Sequence, residues 1–397
     1  MATPLAVLDL VPVSSGSDAA AAMRNTVDLA RQAERFGYQR YWFAEHHLNP
    51  GVIGAAPAVA IALVAGATRA IRLGSAGVQI GHRTPLSVAE EFGLIDALHP
   101  GRLDLGVGRS IARQPPAAAD DAAANGAAPL AAAGAAYRAK SGGGVHAHDE
   151  RTENGLLLPK RYDFTKLLGS NSAKLELTLS LLQQPGAYAP PYEEQISELL
   201  TLLEGTYESG SGQEAHARPG EGAAVQVWIL GASGGESAQV AGSHGLRFAA
   251  SYHHSPSTVL DAVTAYREAF RPSAELPQPY VSVSADVVVG PDDETAQRLA
   301  SGYGLWVRSI RTGAGAIKFP TPEEAAEHEW SDEDLALVKD RTDTQLVGSP
   351  QTVADKLEQL RDATGADELA ITTITHDHAD RVRSYELLAR EWHRRRP

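Results

Sequence analysis

Short runs of apolar residues alternate with longer segments of helical periodicity along most of the chain. Many of the short runs are rich in valine, isoleucine and leucine and are bounded by glycine or polar residues, and several are apolar without regular alternation. Strands that are covered on both faces, as in a parallel sheet, show this pattern. The runs predicted as strands are Leu5–Val11, Arg40–Ala44, Ile71–Ile80, Arg102–Val107, Val225–Leu230, Leu246–Ser251, Val281–Val289 and Glu368–Ile374.

Helices are predicted after most of these strands. The first helix, Ala19–Phe36, has Asp18 or Ser17 as its N-cap and ends at Gly37. The others are Pro57–Ala67, Ser87–Leu98, Glu236–His244, Thr258–Phe270, Glu294–Ile310, Thr352–Ala363 and His378–Trp392. Eight strands in this alternation predict an α/β protein with a (β/α)8 TIM barrel, and a doubly wound open sheet is the alternative.

The alternation stops after the fourth strand. Residues 111–187 form a low-complexity insertion, which is rich in alanine between Pro115 and Ala136 and poor in large apolar residues. This composition is typical of a disordered segment, and a lid over the barrel mouth is the other interpretation. The length of 397 residues is therefore explained by a single barrel domain, residues 1–397, that the insertion enlarges.

The composition excludes several kinds of site and partner. The chain has no cysteine, which removes disulfides, thiol nucleophiles and cysteine-bound metals. Its formal net charge of −14 argues against nucleic acid and anionic membranes as partners. The first 17 residues lack the Lys or Arg of a signal peptide, and the longest uncharged stretch, Leu48–Thr68, is too weakly apolar for a membrane span. We expect a cytoplasmic protein.

A carboxylate and two histidines, Glu45-His46-His47, follow the second strand directly. In a (β/α)8 barrel the chemistry lies at the carboxyl-terminal ends of the strands. A carboxylate beside an imidazole can orient the ring and tune its pKa for proton transfer near neutral pH. A hydrogen-bonded histidine pair that closes the barrel end is the structural alternative. A metal site, with further ligands from His376-Asp377-His378, is the weaker alternative and is not predicted, because adjacent histidines in a strand point to opposite faces.

Small residues and an arginine mark the third and fourth strands. The segment Gly74–Gly77 either lets a flat ligand lie against the backbone or serves close packing in the barrel. The segment Gly106–Ser110 begins like a dinucleotide fingerprint, but Ile111 occupies the third glycine position. Arg109 stands at a strand end and is a candidate ligand for a phosphate or carboxylate, with a structural salt bridge as the alternative.

The fifth strand runs into a glycine- and serine-rich loop, Gly231–Ser237, that precedes a helix. Backbone N–H groups at a helix N-terminus, together with two hydroxyls, can hold a phosphate. The loop also satisfies the G-x-S-x-G pattern of a hydrolase nucleophile elbow. In that alternative Ser233 is the nucleophile, with Asp343 or Asp367 as the acid and His376 as the base.

Several of these segments together resemble the bacterial-luciferase-like flavin-dependent monooxygenases. The resemblance is carried by Tyr41–His47, Gly74–Gly77, Gly101–Arg109, the loop after the fifth strand, and the segments 347–350, 367–369 and 384–386. It covers residues 5–110 and 225–392 and leaves the insertion unmatched. Gly108 stands where the α subunit of bacterial luciferase has a reactive cysteine, so the resemblance does not imply light emission.

The resemblance implies a (β/α)8 barrel that binds reduced FMN, or a deazaflavin, at the carboxyl-terminal strand ends. His46 matches the histidine that assists the flavin peroxide chemistry, with Glu45 beside it. Ala76 and Gly77 match the pair that lies against the isoalloxazine ring, and Arg109 matches the arginine on the flavin phosphate. The residues that complete this cofactor site are Ser233, Gly234, Gly235 and Ser237.

The implied activity is that of a monooxygenase. Reduced FMN, supplied by a separate flavin reductase, would react with dioxygen through a C4a-peroxide and oxygenate a small organic substrate. The alternatives are a deazaflavin-dependent oxidoreductase on the same barrel, a hydrolase that uses Ser233, and a barrel without catalytic activity. Barrels of this family often pair, so we expect a homodimer.

Overall fold

Eight parallel strands close into a barrel in the computed structural model, which describes residues 3–110, 112, 148–162 and 172–395. The strands of these residues are β1 (Leu5–Asp9), β2 (Arg40–Phe43), β3 (Arg72–Ser75), β4 (Val78–Gln79), β5 (Leu103–Gly108), β6 (Glu150–Arg151), β7 (Leu157–Leu158), β8 (Gln226–Gly231), β9 (Arg247–Ser251), β10 (Val281–Val289), β11 (Leu346–Gly348) and β12 (Glu368–Thr372). The barrel runs β1-β2-β3-β5-β8-β9-β10-β12 and returns to β1. The predicted (β/α)8 barrel is confirmed, and the open sheet is wrong because β9, at the far end of the strand order, pairs with β10 and closes the ring.

Helices connect the strands. In the described residues they are α1 (Ala19–Phe36), α2 (Pro57–Ala65), α3 (Pro85–Leu98), α4 (Ser172–Leu182), α5 (Tyr192–Glu204), α6 (Glu236–Ser243), α7 (Val259–Ala269), α8 (Asp293–Ala300), α9 (Tyr303–Arg311), α10 (Pro322–Ala326), α11 (Asp332–Thr342), α12 (Pro350–Thr364) and α13 (His378–Arg394). Short 3-10 turns cover Ile80–His82 and Pro256–Thr258. No helix of the described residues combines the length and the apolar character that a membrane span requires.

The ends of α1 follow the predicted capping residues. The Asp18 side chain accepts a hydrogen bond from the backbone N–H of Ala21 at 2.7 Å, which satisfies a donor that the first turn leaves free. Gly37 ends the helix in the left-handed conformation with φ of +83°, which suits a residue without a Cβ. Both ends of this helix are therefore encoded locally, and the prediction is confirmed.

Two predicted elements are split by small residues. The predicted strand Ile71–Ile80 becomes β3 and β4, with Ala76 and Gly77 between them. The predicted helix Glu294–Ile310 becomes α8 and α9, interrupted at Gly302, where a Cβ would lie 3.0 Å from Pro320. In both places a small residue lets another segment approach the backbone closely, a contact that the apolar pattern does not reveal.

Parts of the predicted insertion have regular structure. Residues 148–162 contain the antiparallel hairpin β6–β7, and α4 lies near the end of the insertion. The hairpin packs on the barrel, because the Tyr252 hydroxyl donates to the Leu157 carbonyl at 2.8 Å and Asn154 donates to the Gln359 carbonyl at 2.8 Å. Residues 111, 113–147 and 163–171, which include the alanine-rich segment, lie outside the described residues, so the lid or disordered segment stays a prediction.

Two apolar layers follow from the alternation of side chains along each strand. Val7 and Tyr41 belong to the layer between the strands and the helices. Their neighbours Ala6, Leu8 and Trp42 point the other way and fill the barrel interior. Trp42 meets a second tryptophan, from β8, edge to face at a centroid distance of 4.9 Å. The two rings fill the interior at this level.

A buried ion-pair network closes the amino-terminal end of the barrel. Arg40 donates to both oxygens of Asp104 at 2.9 Å and to Glu368 at 2.8 Å. Arg72 and the indole N–H of Trp42 also donate to Asp104, at 2.8 and 2.9 Å. Arg40, Asp104 and Glu368 are all buried. The network joins β2, β3, β5 and β12 and forms the floor of the barrel.

Replacing the central cation should destabilise the fold. Arg40→Met leaves Asp104 and Glu368 buried with less compensating charge, and removing one partner of a buried pair costs about 3–5 kcal/mol. The matched control is Arg361→Met, which removes a surface pair with Asp362 and should cost less than about 1 kcal/mol. Urea unfolding of both variants measures the two losses, and equal losses would contradict the central role of the floor network.

Candidate active site

A cavity of about 460 Å³ opens at the carboxyl-terminal ends of the barrel strands. It brings together the following residues that the sequence nominated at four different strand ends: Glu45, His46, Ala76, Gly77, Arg109, Ser233, Gly235 and Ser237. Gly234 is not among the lining residues. A Cβ on Gly234 would lie 3.1 Å from the backbone oxygen of Asp261 and 3.2 Å from Ala265, so this glycine faces α7.

Glu45 is held from several sides on the cavity wall. One carboxylate oxygen lies 2.9 Å from Nε2 of His47, and the other accepts the backbone N–H of Gln79 at 3.0 Å. His46 is anchored by its own backbone N–H, which donates to the Gly54 carbonyl at 2.7 Å. Nδ1 of His46 is buried and has no hydrogen-bond partner within the described residues. Glu45 therefore supports His47 and leaves the His46 ring available to the cavity.

The electrostatic surroundings keep the His46 ring neutral. Burial lowers the pKa of His46 to about 4, the neighbouring His47 acts in the same direction, and the negative charge of Glu45 opposes both. Since the pKa lies well below neutral pH, the ring carries one proton on one nitrogen there. It can accept a proton or a hydrogen bond at the other nitrogen.

Bare backbone forms the side of the cavity at Ala76 and Gly77, whose connecting peptide bond is cis. A Cβ on Gly77 would lie 2.8 Å from the Leu230 side chain and 2.9 Å from the Gly106 carbonyl oxygen. A Cβ on Gly106 would lie 2.0 Å from the carbonyl oxygen of Ser75. These glycines let three strands approach closely, and they leave a side of the cavity without bulky side chains.

Arg109 lies at the opposite side, near the N-terminus of α6. Its guanidinium pairs with Glu236 at 2.7 Å, and about a third of the side chain is exposed. Gly235 is the N-cap of α6, and no side chain caps its free N–H groups. The buried Tyr192 hydroxyl donates to the Val107 carbonyl of β5 at 3.4 Å and lies near Ser237, and burial raises the pKa of this tyrosine well above its usual range. An arginine, an uncapped helix N-terminus and hydroxyls thus meet in one place.

The residues of the hydrolase alternative do not assemble around Ser233. Asp367 lies before β12, at the amino-terminal end of the barrel, where it accepts the first backbone N–H of β10 at 2.8 Å. Asp343 pairs with a lysine of α11. Nε2 of His376 lies 3.3 Å from the hydroxyl of Ser15. The structure therefore does not support Ser233 as the nucleophile of a triad with these partners.

The structure adds site residues that sequence reasoning missed. His253 and the hydroxyls of Ser282 and Ser284 line the cavity. Two adjacent histidines, His253 and His254, follow β9 as His46 and His47 follow β2, and this likeness was a usable signal. Tyr192 comes after the long irregular stretch, and nothing in its local sequence connects it to α6.

Comparison with known proteins identifies the family. The model of the luciferase-like monooxygenase family matches residues 3–133 and 192–368. The chain belongs to the luciferase-like monooxygenases. It is 34% identical over 395 residues to the uncharacterised protein YvbT of Bacillus subtilis (strain 168), covering 99% of this chain and 98% of YvbT. It is 29% identical to a luciferase-like monooxygenase of Escherichia coli (strain K12), over 96% of this chain and 94% of that protein.

Solved structures of this architecture include enzymes that use two kinds of cofactor. Apo-MsnO8 has a TM-score of 0.70 and 28% identity, covering 99% of this chain and 98% of its own. The oxygenating constituent of 3,6-diketocamphane monooxygenase from Pseudomonas putida, in complex with FMN, has a TM-score of 0.60 and 19% identity, over 99% of both chains. An F420-dependent secondary alcohol dehydrogenase has a TM-score of 0.57 and 13% identity, over 99% of both chains. The last two likenesses concern the fold alone.

The lowered pKa of His46 predicts how the folding stability of the protein depends on pH. Its pKa is about 4 in the folded chain and 6.5 ordinarily, so between these values the unfolded chain binds a proton that the folded chain does not. Folding stability should therefore fall as the pH drops from 6.5 towards 4. The His46→Gln variant cannot ionise at this position and should lose less stability over that range. Urea unfolding from pH 7 to pH 4 measures the difference, and equal losses in both proteins would contradict the lowered pKa.

Proposed function

We propose that this luciferase-like protein is an FMN-dependent monooxygenase. It would take reduced FMN from a separate flavin reductase and use dioxygen to oxygenate a small organic substrate. The observation that carries the proposal is one cavity with a backbone wall at Ala76 and Gly77, an arginine beside a helix N-terminus, and the neutral ring of His46. The flavin complex of the diketocamphane monooxygenase supports the choice of cofactor by analogy of fold.

The α6 end of the cavity fits a phosphate group. The free N–H groups of the first turn and the positive end of the helix dipole favour an anion. Arg109 and the hydroxyls of Ser233 and Ser237 supply a charge and further donors. The Glu236 carboxylate already forms a salt bridge with the Arg109 guanidinium. A bound phosphate would therefore share this arginine with a carboxylate.

The rest of the cavity fits a flat ring system and a reaction that must exclude water. Ala76 and Gly77 present backbone to the cavity, so a planar group can approach it closely. Side chains of Leu8, Leu10 and Trp42 line other parts of the wall and make them apolar. A dry and enclosed site limits the wasteful reaction of a reduced flavin with oxygen and water.

When bound, reduced FMN supplies the two electrons with which one atom of dioxygen enters the substrate and the other leaves as water. His46 holds or accepts a proton at the ring nitrogen that lacks a protein partner. Glu45 does not touch this ring by a hydrogen bond; it orients the adjacent His47. We therefore assign proton handling to His46 and a positioning role to Glu45.

Binding measurements with Arg109→Ala test the cofactor proposal. The purified protein should bind FMN and consume oxygen only when reduced FMN is supplied. Loss of a charge-assisted contact should weaken FMN binding by roughly 10- to 100-fold. The surface variant Arg390→Ala, whose residue pairs with Glu386 on α13, is the matched control and should bind FMN as the parent protein does.

A parallel titration with F420 separates the two cofactor classes. Preferential binding of F420, together with no oxygen consumption in the presence of reduced FMN, would replace the monooxygenase by a deazaflavin-dependent oxidoreductase. Unchanged FMN affinity in Arg109→Ala would contradict the assignment of Arg109 as a ligand of the FMN phosphate.

We also propose that the protein pairs with a second copy through α2 and α3. The sequence of α2, PAVAIALVA, is apolar all round, so its outer face has no polar cover. Val59 and Leu63 on α2 are about 60% exposed, and Leu94 and Leu98 on the adjoining α3 are 63% and 79% exposed. A continuous apolar surface of this kind marks an interaction site. When two copies pair about a two-fold axis, the same apolar surface of both copies is buried in one interface.

Charge on this face should abolish the pairing. Leu94→Glu would place carboxylates from both copies in the interface, and a dimer should become a monomer at micromolar concentrations. Leu335→Glu is the control, because Leu335 is a similarly exposed leucine on α11, away from this face. Sedimentation velocity measures the masses, and a parent protein that is already monomeric would contradict the proposal.

A further inference from the structure

The side of the cavity formed by β9 and β10 carries hydroxyl groups and a histidine, beside two alanines of β9, whereas Leu8, Leu10 and Trp42 line other parts. It carries Ser251 on β9, Ser282 and Ser284 on β10, and His253 just beyond β9. Ser284 is in register with Ser251, so the two hydroxyl-bearing residues are neighbours across the strand pair. The cofactor-binding groups proposed above are at the ends of β2, β3, β5 and β8, and none of them is on this side.

The His253 ring is held in place by serine hydroxyls. Its Nδ1 lies 2.6 Å from the Ser284 hydroxyl and 3.2 Å from the Ser251 hydroxyl. Its backbone N–H donates to the Ser284 carbonyl at 3.1 Å. These contacts use Nδ1 and leave Nε2 without a hydrogen bond to any described residue. Because the ring is already oriented, a ligand that bonds to Nε2 does not have to order this side chain.

Ser282 provides a second unused polar group in the same part of the cavity. Its residue is fully buried, and its hydroxyl has no hydrogen-bond partner among the described residues. A buried polar group without a partner costs about 1–3 kcal/mol. Ser282 and Ser284 are two residues apart on β10 and face the same side, which separates them by roughly 7 Å along the strand. A ligand atom that bonds to Ser282 would recover the cost of leaving it unsatisfied.

The β9–β10 side favours an uncharged ligand. Burial and the positive charge of the nearby Arg341 lower the pKa of His253 to about 3, so the ring is neutral at neutral pH. Arg109, at the α6 end, is the only lysine or arginine among the described residues that line the cavity. The charged groups beside the β9–β10 side are already paired, Arg341 with Asp286 at 3.0 Å and Glu368, in register with Ser282, with Arg40 at 2.8 Å. A charged ligand would have to compete with these pairs for a counter-ion. A hydroxyl or carbonyl oxygen matches the available donors and acceptors.

We propose that His253 and Ser282 form a subsite for an uncharged oxygen of an otherwise apolar substrate. Nε2 of His253 and the hydroxyl of Ser282 bond to this oxygen, and the apolar walls receive the carbon skeleton. This proposal rests on the proposed function in one respect, namely that the ligand bound here is the substrate of the reaction. The binding preference itself is a property of the protein and can be measured without turnover.

Two isosteric probes measure the preference. Cyclohexanone and methylenecyclohexane differ only in an exocyclic oxygen or methylene group. Their binding to the protein, with and without FMN, can be followed by tryptophan fluorescence, because Trp42 lines the cavity. The parent protein should bind the ketone roughly 5- to 20-fold more tightly than the alkene, as expected for a hydrogen bond that satisfies a buried group. Ser282→Ala and His253→Asn should each lower this ratio towards one.

The variants are chosen to keep the fold intact. The Asn side chain in His253→Asn can still bond to Ser284 in place of Nδ1 but lacks the position of Nε2. Ser301→Ala alters an exposed serine outside the cavity and should leave the ratio unchanged. Equal affinity of the parent protein for the two probes would overturn the subsite. Loss of FMN binding in Ser282→Ala and His253→Asn would assign this side to the cofactor and overturn it as well. If the parent protein prefers the ketone but binds no FMN, the subsite stands and the proposed monooxygenase activity fails.

Discussion

The buried charge of Arg40 is the constraint on which the rest of the barrel depends. A guanidinium inside a barrel is tolerated only when carboxylates and hydrogen bonds compensate for its lost hydration. Asp104 and Glu368 supply this compensation from β5 and β12, and Trp42 adds a further bond to Asp104. These contacts close the amino-terminal end and fill the interior below the tryptophan layer. The accessible volume therefore lies at the carboxyl-terminal end, where the loops bring reactive groups together.

Neutral side chains dominate the site above that floor, although the chain carries a formal charge of −14. Burial lowers the pKa of both His46 and His253, so the two rings act as hydrogen-bonding groups at neutral pH. The cationic group on the cavity wall is Arg109, beside an uncapped helix N-terminus. This separation places anion recognition at one end and leaves the remaining volume to uncharged and apolar groups.

Local patterns predicted the barrel well and the contacts of its mouth less well. All eight barrel strands and the capping of α1 were foreseeable, because an apolar run or a capping residue acts over a few neighbours. The splits at Ala76–Gly77 and at Gly302 were not, because they depend on segments distant in sequence. Tyr192 bonds to the Val107 carbonyl of β5 from beyond the irregular stretch, and no local signal announces a contact of that kind.

The order of residues alone determined the family and the placement of Glu45, His46, Arg109 and the α6 loop at strand ends. Periodicity specifies where strands stop, and in a parallel barrel these ends share one rim. Only the tertiary structure decided the pairings: Glu45 holds His47, Arg109 meets Glu236, and Gly234 turns towards α7. Such choices depend on distances of a few ångströms between separate strands, which are set when the barrel closes and its side chains compete for partners.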